Sequence, residues 1–122
     1  MVKGRKITGG KYKDFRKKKK HSLPGIARIV KLRETKQKTI KCRGKIKKNV
    51  LLSTNKVNVI NPKTKKAKKV EIKNVLETPA NRFLARQNIL VKGAIIETEL
   101  GKAKITNRPS QEGNVQAILI KE

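Results

Sequence analysis

Aromatic side chains are nearly missing from this 122-residue chain: one Tyr, two Phe and no Trp, 2% of the total. A ring-walled cleft for sugar hydrolysis is thereby excluded, and Glu97 and Glu99 read as surface partners for nearby Lys and Arg rather than as an acid/base pair. Cys42 is the sole cysteine, so it closes no internal disulfide and has no second thiol for a zinc site. With no general-base partner in sight to activate the thiol, it is expected as a small buried hydrophobe on the inner face of a strand. The lone histidine, His21, adjoins the run Lys17-Lys18-Lys19-Lys20, which removes histidine-based catalysis and histidine metal clusters. Long apolar runs are missing too: nothing approaches the roughly 18 residues of a membrane span, and the N-terminus lacks the apolar stretch of a signal peptide. The expectation is a cytoplasmic, non-enzymatic protein with no cofactor, metal, small-molecule substrate or membrane contact.

Negative charge is the last scarcity, and it points to what is present. Eight acids stand against 34 Lys and Arg, a net charge of +26. So large a charge repels itself in a compact chain and is best tolerated against a polyanion. The length suits one small domain. Within it, residues 1–49 hold 20 basic and 2 acidic groups, residues 50–75 hold 7 and 1, and residues 76–122 hold 7 and 5. The first twenty carry ten bases, a single acid and three glycines, too little apolar surface to offset chain entropy. Residues 1–22 are therefore expected to be a basic extension that is disordered when free, and residues 23–122 a folded domain.

Phosphate chemistry dominates the candidate site. Lys3, Arg5, Lys6, Lys11, Lys13, Arg16, Lys17, Lys18, Lys19 and Lys20, with His21 at their end, form one cationic patch. Arg43, Lys45, Lys47 and Lys48 form a second beside Gly44, and Arg28, Arg82, Arg86 and Arg108 complete the set. Such patches displace counterions from nucleic acid. Tyr12 and Phe15 are interleaved with the arm cations, where rings can stack on unpaired bases while their neighbours hold phosphates, an RNA-like mode. Gly4 and Gly9 are spaced as in a phosphate-binding P-loop, but Gly10 stands where its lysine belongs and no Ser or Thr follows Lys11.

From Leu23 onward the hydrophobic period is two. Val30 and Leu32, Ile40 and Cys42, Val57 and Val59, Val70 and Ile72, and Ala103 and Ile105 alternate with polar or charged residues, as in half-buried strands. The run Val115–Ile120 is apolar on both faces and is expected as a central strand covered on each side. Turn residues fall between these runs at Gly44, 61–64, 92–93, 100–101 and 108–113. Thr78 followed by Pro79 predicts the cap and first position of a two-turn helix, with Phe83 and Leu84 inward and Arg82 and Arg86 sharing an exposed face. The fold class predicted is mainly β: a small antiparallel β-barrel with one short helix. Its core, almost without aromatics, predicts marginal stability in isolation.

The same residues resemble a known family. Thr8-Gly9-Gly10-Lys11 before the lysine run, Asn81-Arg82-Phe83, the stretch from Lys92 to Thr98, Leu100-Gly101-Lys102-Ala103 and Thr106-Asn107-Arg108-Pro109 up to Gly113 are similar, in order, to the small-subunit ribosomal protein family eight-e of archaea and eukaryotes. The short length resembles its archaeal members. Where the family has Glu-Leu-Gly after the lysines, this chain has Ser22-Leu23-Pro24-Gly25. The resemblance implies a barrel with an RNA-embedded extension: a structural constituent of the small ribosomal subunit, supporting translation, whose partners are ribosomal RNA and neighbouring subunit proteins. The alternative from another class is a free RNA- or DNA-packaging protein with no fixed assembly.

Overall fold

The computed structural model describes residues 4–13 and 16–120. Two short strands, β1 (Lys36–Lys41) and β2 (Lys47–Ser53), form an antiparallel hairpin of their own. Five further strands, β3 (Lys56–Ile60), β4 (Ala67–Glu77), β5 (Ile95–Thr98), β6 (Gly101–Ile105) and β7 (Gln116–Leu119), close a barrel. Single-turn helices α1 (Arg82–Arg86) and α2 (Pro109–Glu112) lie in the β4–β5 and β6–β7 connections. The period-two runs at 57–59, 70–72 and 103–105 are strands as predicted, with β-branched residues on a pleated, half-buried surface.

The barrel is mixed rather than wholly antiparallel. β3 pairs in parallel with β7, Asn58 against Gln116 and Ile60 against Ile118. Counting explains it: when each strand runs opposite to the one before, an odd number of strands brings the first and last together in the same direction. Closure also changes the expectation for residues 115–120. Val115 and Ala117 enter the core, but Ile118 and Ile120 are about two-fifths exposed, at 41% and 39%. Ile118 and Ile120 share the strand face opposite Ala117, on the outside of the barrel.

The core is Val, Ile, Leu and Ala, including Leu51, Val57, Val59, Ile96 and Ile105. Val30 joins it although its segment is no strand. Lys31 makes single bridges to Ser53 and Ile89, and Leu90 donates to the Val30 carbonyl at 2.8 Å, so residues 30–32 thread between the end of β2 and residues 88–90.

Three further local expectations are corrected. Cys42 is exposed, because β1 ends at Lys41 and the chain then turns through Arg43–Lys45 with Gly44 at φ 73°. α1 is capped by Asn81, whose Oδ1 accepts from the Phe83 N–H at 2.9 Å, and not by Thr78. Asn is among the strongest cap residues and lies directly before the helix. With the helix starting three residues later than predicted, Phe83 turns outward and is 54% exposed. Among the described residues there are two α-helices rather than one: Pro109 starts α2 at its first position and Gly113 ends it in the left-handed region, the usual proline and glycine asymmetry.

Candidate nucleic-acid interface

The described arm residues, 4–13 and 16–22, are all exposed, as are residues 23–29 that lead from them into the barrel. Residues 5–11 nevertheless close a small hairpin where the sequence predicts no fixed structure. Arg5 bridges Lys11, Lys6 N–H donates to the Gly10 carbonyl at 2.9 Å, and Arg5 Nη1 donates to the Gly9 carbonyl at 3.0 Å. Gly9 makes the turn possible with φ 79°. Lys6 Nζ lies 5.8 Å from the centroid of the Tyr12 ring, which remains half exposed. Lys17–Lys20 and His21 form no part of the core, and Lys20–Ser22 make one 3-10 turn. Lys3 and Phe15 lie outside the described residues.

The arm meets the barrel at a definite place. Arg28 Nε donates to the Ser110 carbonyl at 3.3 Å, tying the arm's exit to α2. Asn107 positions that loop: it is buried, its Nδ2 donates to the Asn114 carbonyl at 2.9 Å and to Glu112 Oε2 at 3.0 Å, and its Oδ1 accepts from Gln116 N–H. Arg108, next to it, remains exposed. The β1–β2 hairpin leans on the same loop, since Gln37 Nε2 donates to the Gly113 carbonyl at 2.7 Å.

At its tip the hairpin carries cations on both strands. Lys41 stands opposite Lys47, Ile40 opposite Lys48, and Arg43 and Lys45 occupy the turn. Two lysines directly across a ladder repel, so the pairing does nothing for the fold. It concentrates positive potential on an exposed finger.

The strand directions assign the patches to ends. Connections 78–94 and 106–115 lie at one end, with α1, α2, the arm's exit and the base of the hairpin, so Arg28, Arg82, Arg86 and Arg108 gather there. At the opposite end the β3–β4 turn and the start of β4 present a patch outside the predicted site: Lys63, Lys65 and Lys66 in the turn and Lys68 and Lys69 in the strand, all exposed. Five lysines in seven positions are the available signal, but the Asn-Pro pair just before them marks the segment as turn punctuation. Asn61 shapes this turn, its Oδ1 accepting from Lys63 N–H at 3.0 Å and its carbonyl from Lys65 N–H at 2.8 Å. Glu97 stands across the ladder from Lys102, as expected of a surface partner, and Glu71 stands likewise across from Lys56.

Fold and surface together define a class, the small basic β-barrel with cationic extensions. The chain belongs to the ribosomal protein S8e family, whose model matches residues 2–120. It is similar to the small ribosomal subunit protein eS8 of Methanococcus aeolicus, 51% identical over 119 residues that cover 97% of this chain and 93% of the relative. The protein of the same name from Sulfurisphaera tokodaii is 48% identical over 120 residues, again 97% and 93% of the two chains, and that from Methanococcus vannielii is 42% identical at the same coverage. The resemblance read from the motifs is thus borne out, and the family is one of ribosomal proteins, not of enzymes.

Proposed function

We propose that the protein is a structural constituent of the small ribosomal subunit in the cytoplasm. It holds small-subunit ribosomal RNA by its arm, its β1–β2 finger and the arginines of the α1–α2 end, beside other subunit proteins. Membership of the ribosomal protein S8e family over residues 2–120 is the observation that carries this reading. The charge placement supports it: the cations sit on exposed extensions and turns, and no charged side chain is among the buried residues described. Phosphates would relieve the Lys41–Lys47 repulsion, and Tyr12 beside Lys6 offers a ring to an unpaired base. Because none of the described residues from 4 to 29 is buried, the arm takes its final path from the RNA. A free packaging protein would need charge alone, and the Asn107 network that fixes the loop of Arg108 is more than charge requires. Sedimentation of cell extract decides: comigration with small subunits through a high-salt wash is expected, and release into the free fraction favours packaging.

A further inference from the structure

β4 breaks its ladder with β5 twice, between Ile72 and Asn74 and between Val75 and Glu77. Bulges re-aim side chains and accumulate beside functional sites. Next to them α1 stands off β4 and leaves an open cleft of about 460 Å³, whose lining includes Asn74, Glu77, Thr78, Arg82, Arg86 and Asn88. Its size falls within the usual range for small-ligand sites.

Two carboxamides in this cleft share one anchor. The Val75 N–H donates to Asn74 Oδ1 at 2.9 Å and to Asn88 Oδ1 at 3.3 Å. Only an oxygen accepts from a backbone N–H, so the orientation of both amides is set and both Nδ2 groups are left without a protein acceptor among the described residues. Asn88 is held at φ 51°, a left-handed conformation that Asn tolerates. Below them Thr78 is 2% exposed and its hydroxyl has no hydrogen-bond partner, a deficit that in a native protein asks for an explanation. Arg82 and Arg86 flank the opening from α1, and the Arg82 guanidinium sits 5.5 Å from the centroid of the Phe83 ring. Glu77 is the one carboxylate in the lining.

The cleft therefore offers two guanidiniums and four amide N–H donors against a single carboxylate. A bare anion would use the arginines and leave the paired amides idle; a planar group with adjacent acceptors uses both. We propose that the cleft takes one unstacked guanosine nucleotide of the RNA, its phosphate on Arg82 and Arg86 and its O6 and N7 on the amides of Asn74 and Asn88. The proposal rests on the RNA-binding reading above. RNA-binding proteins commonly capture splayed-out bases. Guanine presents two neighbouring acceptors on that edge, whereas adenine presents one acceptor and an amino group that would face the amide N–H groups donor to donor.

The test is a titration of the full, isotope-labelled chain with GMP, AMP and inorganic phosphate, observed by NMR at the side-chain amides of Asn74 and Asn88 and at the Thr78 methyl. GMP is expected to move these signals saturably, about five-fold or more tightly than AMP, while phosphate leaves the amides in place. Asn88→Asp and Asn74→Asp keep an oxygen for the Val75 N–H but remove the donors, and each is expected to erase the preference for GMP. Asn74 is exposed, so its variant carries the test if Asn88→Asp fails to fold. Equal response to AMP and GMP, the same amide shifts with phosphate alone, or no amide response overturns the proposal. Affinity for a small-subunit ribosomal RNA fragment is measured alongside. If it persists without any GMP preference, the cleft proposal alone falls; if it is lost as well, the RNA-binding reading falls with it.

Discussion

Gly113 meets two demands at one position. Its φ is 71°, and a Cβ there would sit 3.3 Å from the Asn49 carbonyl oxygen, on backbone that cannot swing aside. Gly113→Ala is expected to cost about 1 to 3 kcal/mol in urea unfolding. Gly44, with φ 73° but open space around it, should cost about 1 kcal/mol, the left-handed strain alone. Equal losses at the two sites would show that the contact with Asn49 carries no weight. A second pair separates the cap from its neighbour. Asn81→Ala removes the acceptor for Phe83 N–H and should cost about 1 kcal/mol. Thr78→Val swaps an unpartnered buried hydroxyl for a methyl of the same shape and should be neutral or stabilising. The reverse order would return the cap to Thr78.

Among the elements, the β1–β2 finger sets stability against binding. Lys47→Glu turns the repulsive pair with Lys41 into an attractive one, so it should stabilise the free protein by about 0.2 to 1 kcal/mol and weaken binding to ribosomal RNA. Thermal unfolding and a filter-binding titration read the two effects, and a variant that moves both in the same direction would contradict the assignment. The arm behaves differently because it packs against so little. Replacing Lys17–Lys20 by Ala should leave unfolding nearly unchanged and lower the slope of log affinity on log salt by roughly 0.7 to 0.9 for each phosphate no longer neutralised. A slope that does not change would mean these lysines meet no phosphate.

For the whole molecule the charge has two opposite consequences. At +26 the free protein repels itself, so added salt up to a few tenths molar should raise its melting temperature by screening. The same salt should weaken RNA binding, because less is gained by releasing counterions into it. Melting scans and binding isotherms over one salt series check both signs, and a free protein that melts lower as salt rises would show that repulsion does not limit its stability. RNA bound to the folded form should raise the melting temperature in a concentration-dependent way, since the apolar core is small and ligand binding adds directly to stability. The lysine turn at the far end of the barrel from the arm gives the molecule two cationic poles.

The strands β3, β4 and β6 and the turns between strands were legible in the sequence because they are local: alternation sets a strand's buried face, and Gly, Asn and Pro mark where the chain turns. The charge and its excess in the first 49 residues were equally plain, and so was the unsuitability for catalysis. Other features depend on partners far away in the chain. The parallel pairing of β3 with β7 follows from how many strands close the barrel, which no single segment records. Cys42 and Phe83 alternate or space like buried residues but lie where a strand has just ended and a helix has just begun, and a shift of one to three residues turns a side chain outward. Val30 is buried without belonging to a strand, because residues from β2 and from 88–90 close over it. The amides of Asn74 and Asn88 lie on different elements and meet only because the β4 bulges and the left-handed turn at Asn88 bring both to one backbone N–H. The sequence alone determined the composition of the surface and the period of the core; the tertiary structure decided which cations share an end and which polar groups face one cleft, since closure and register are set by contacts between distant segments.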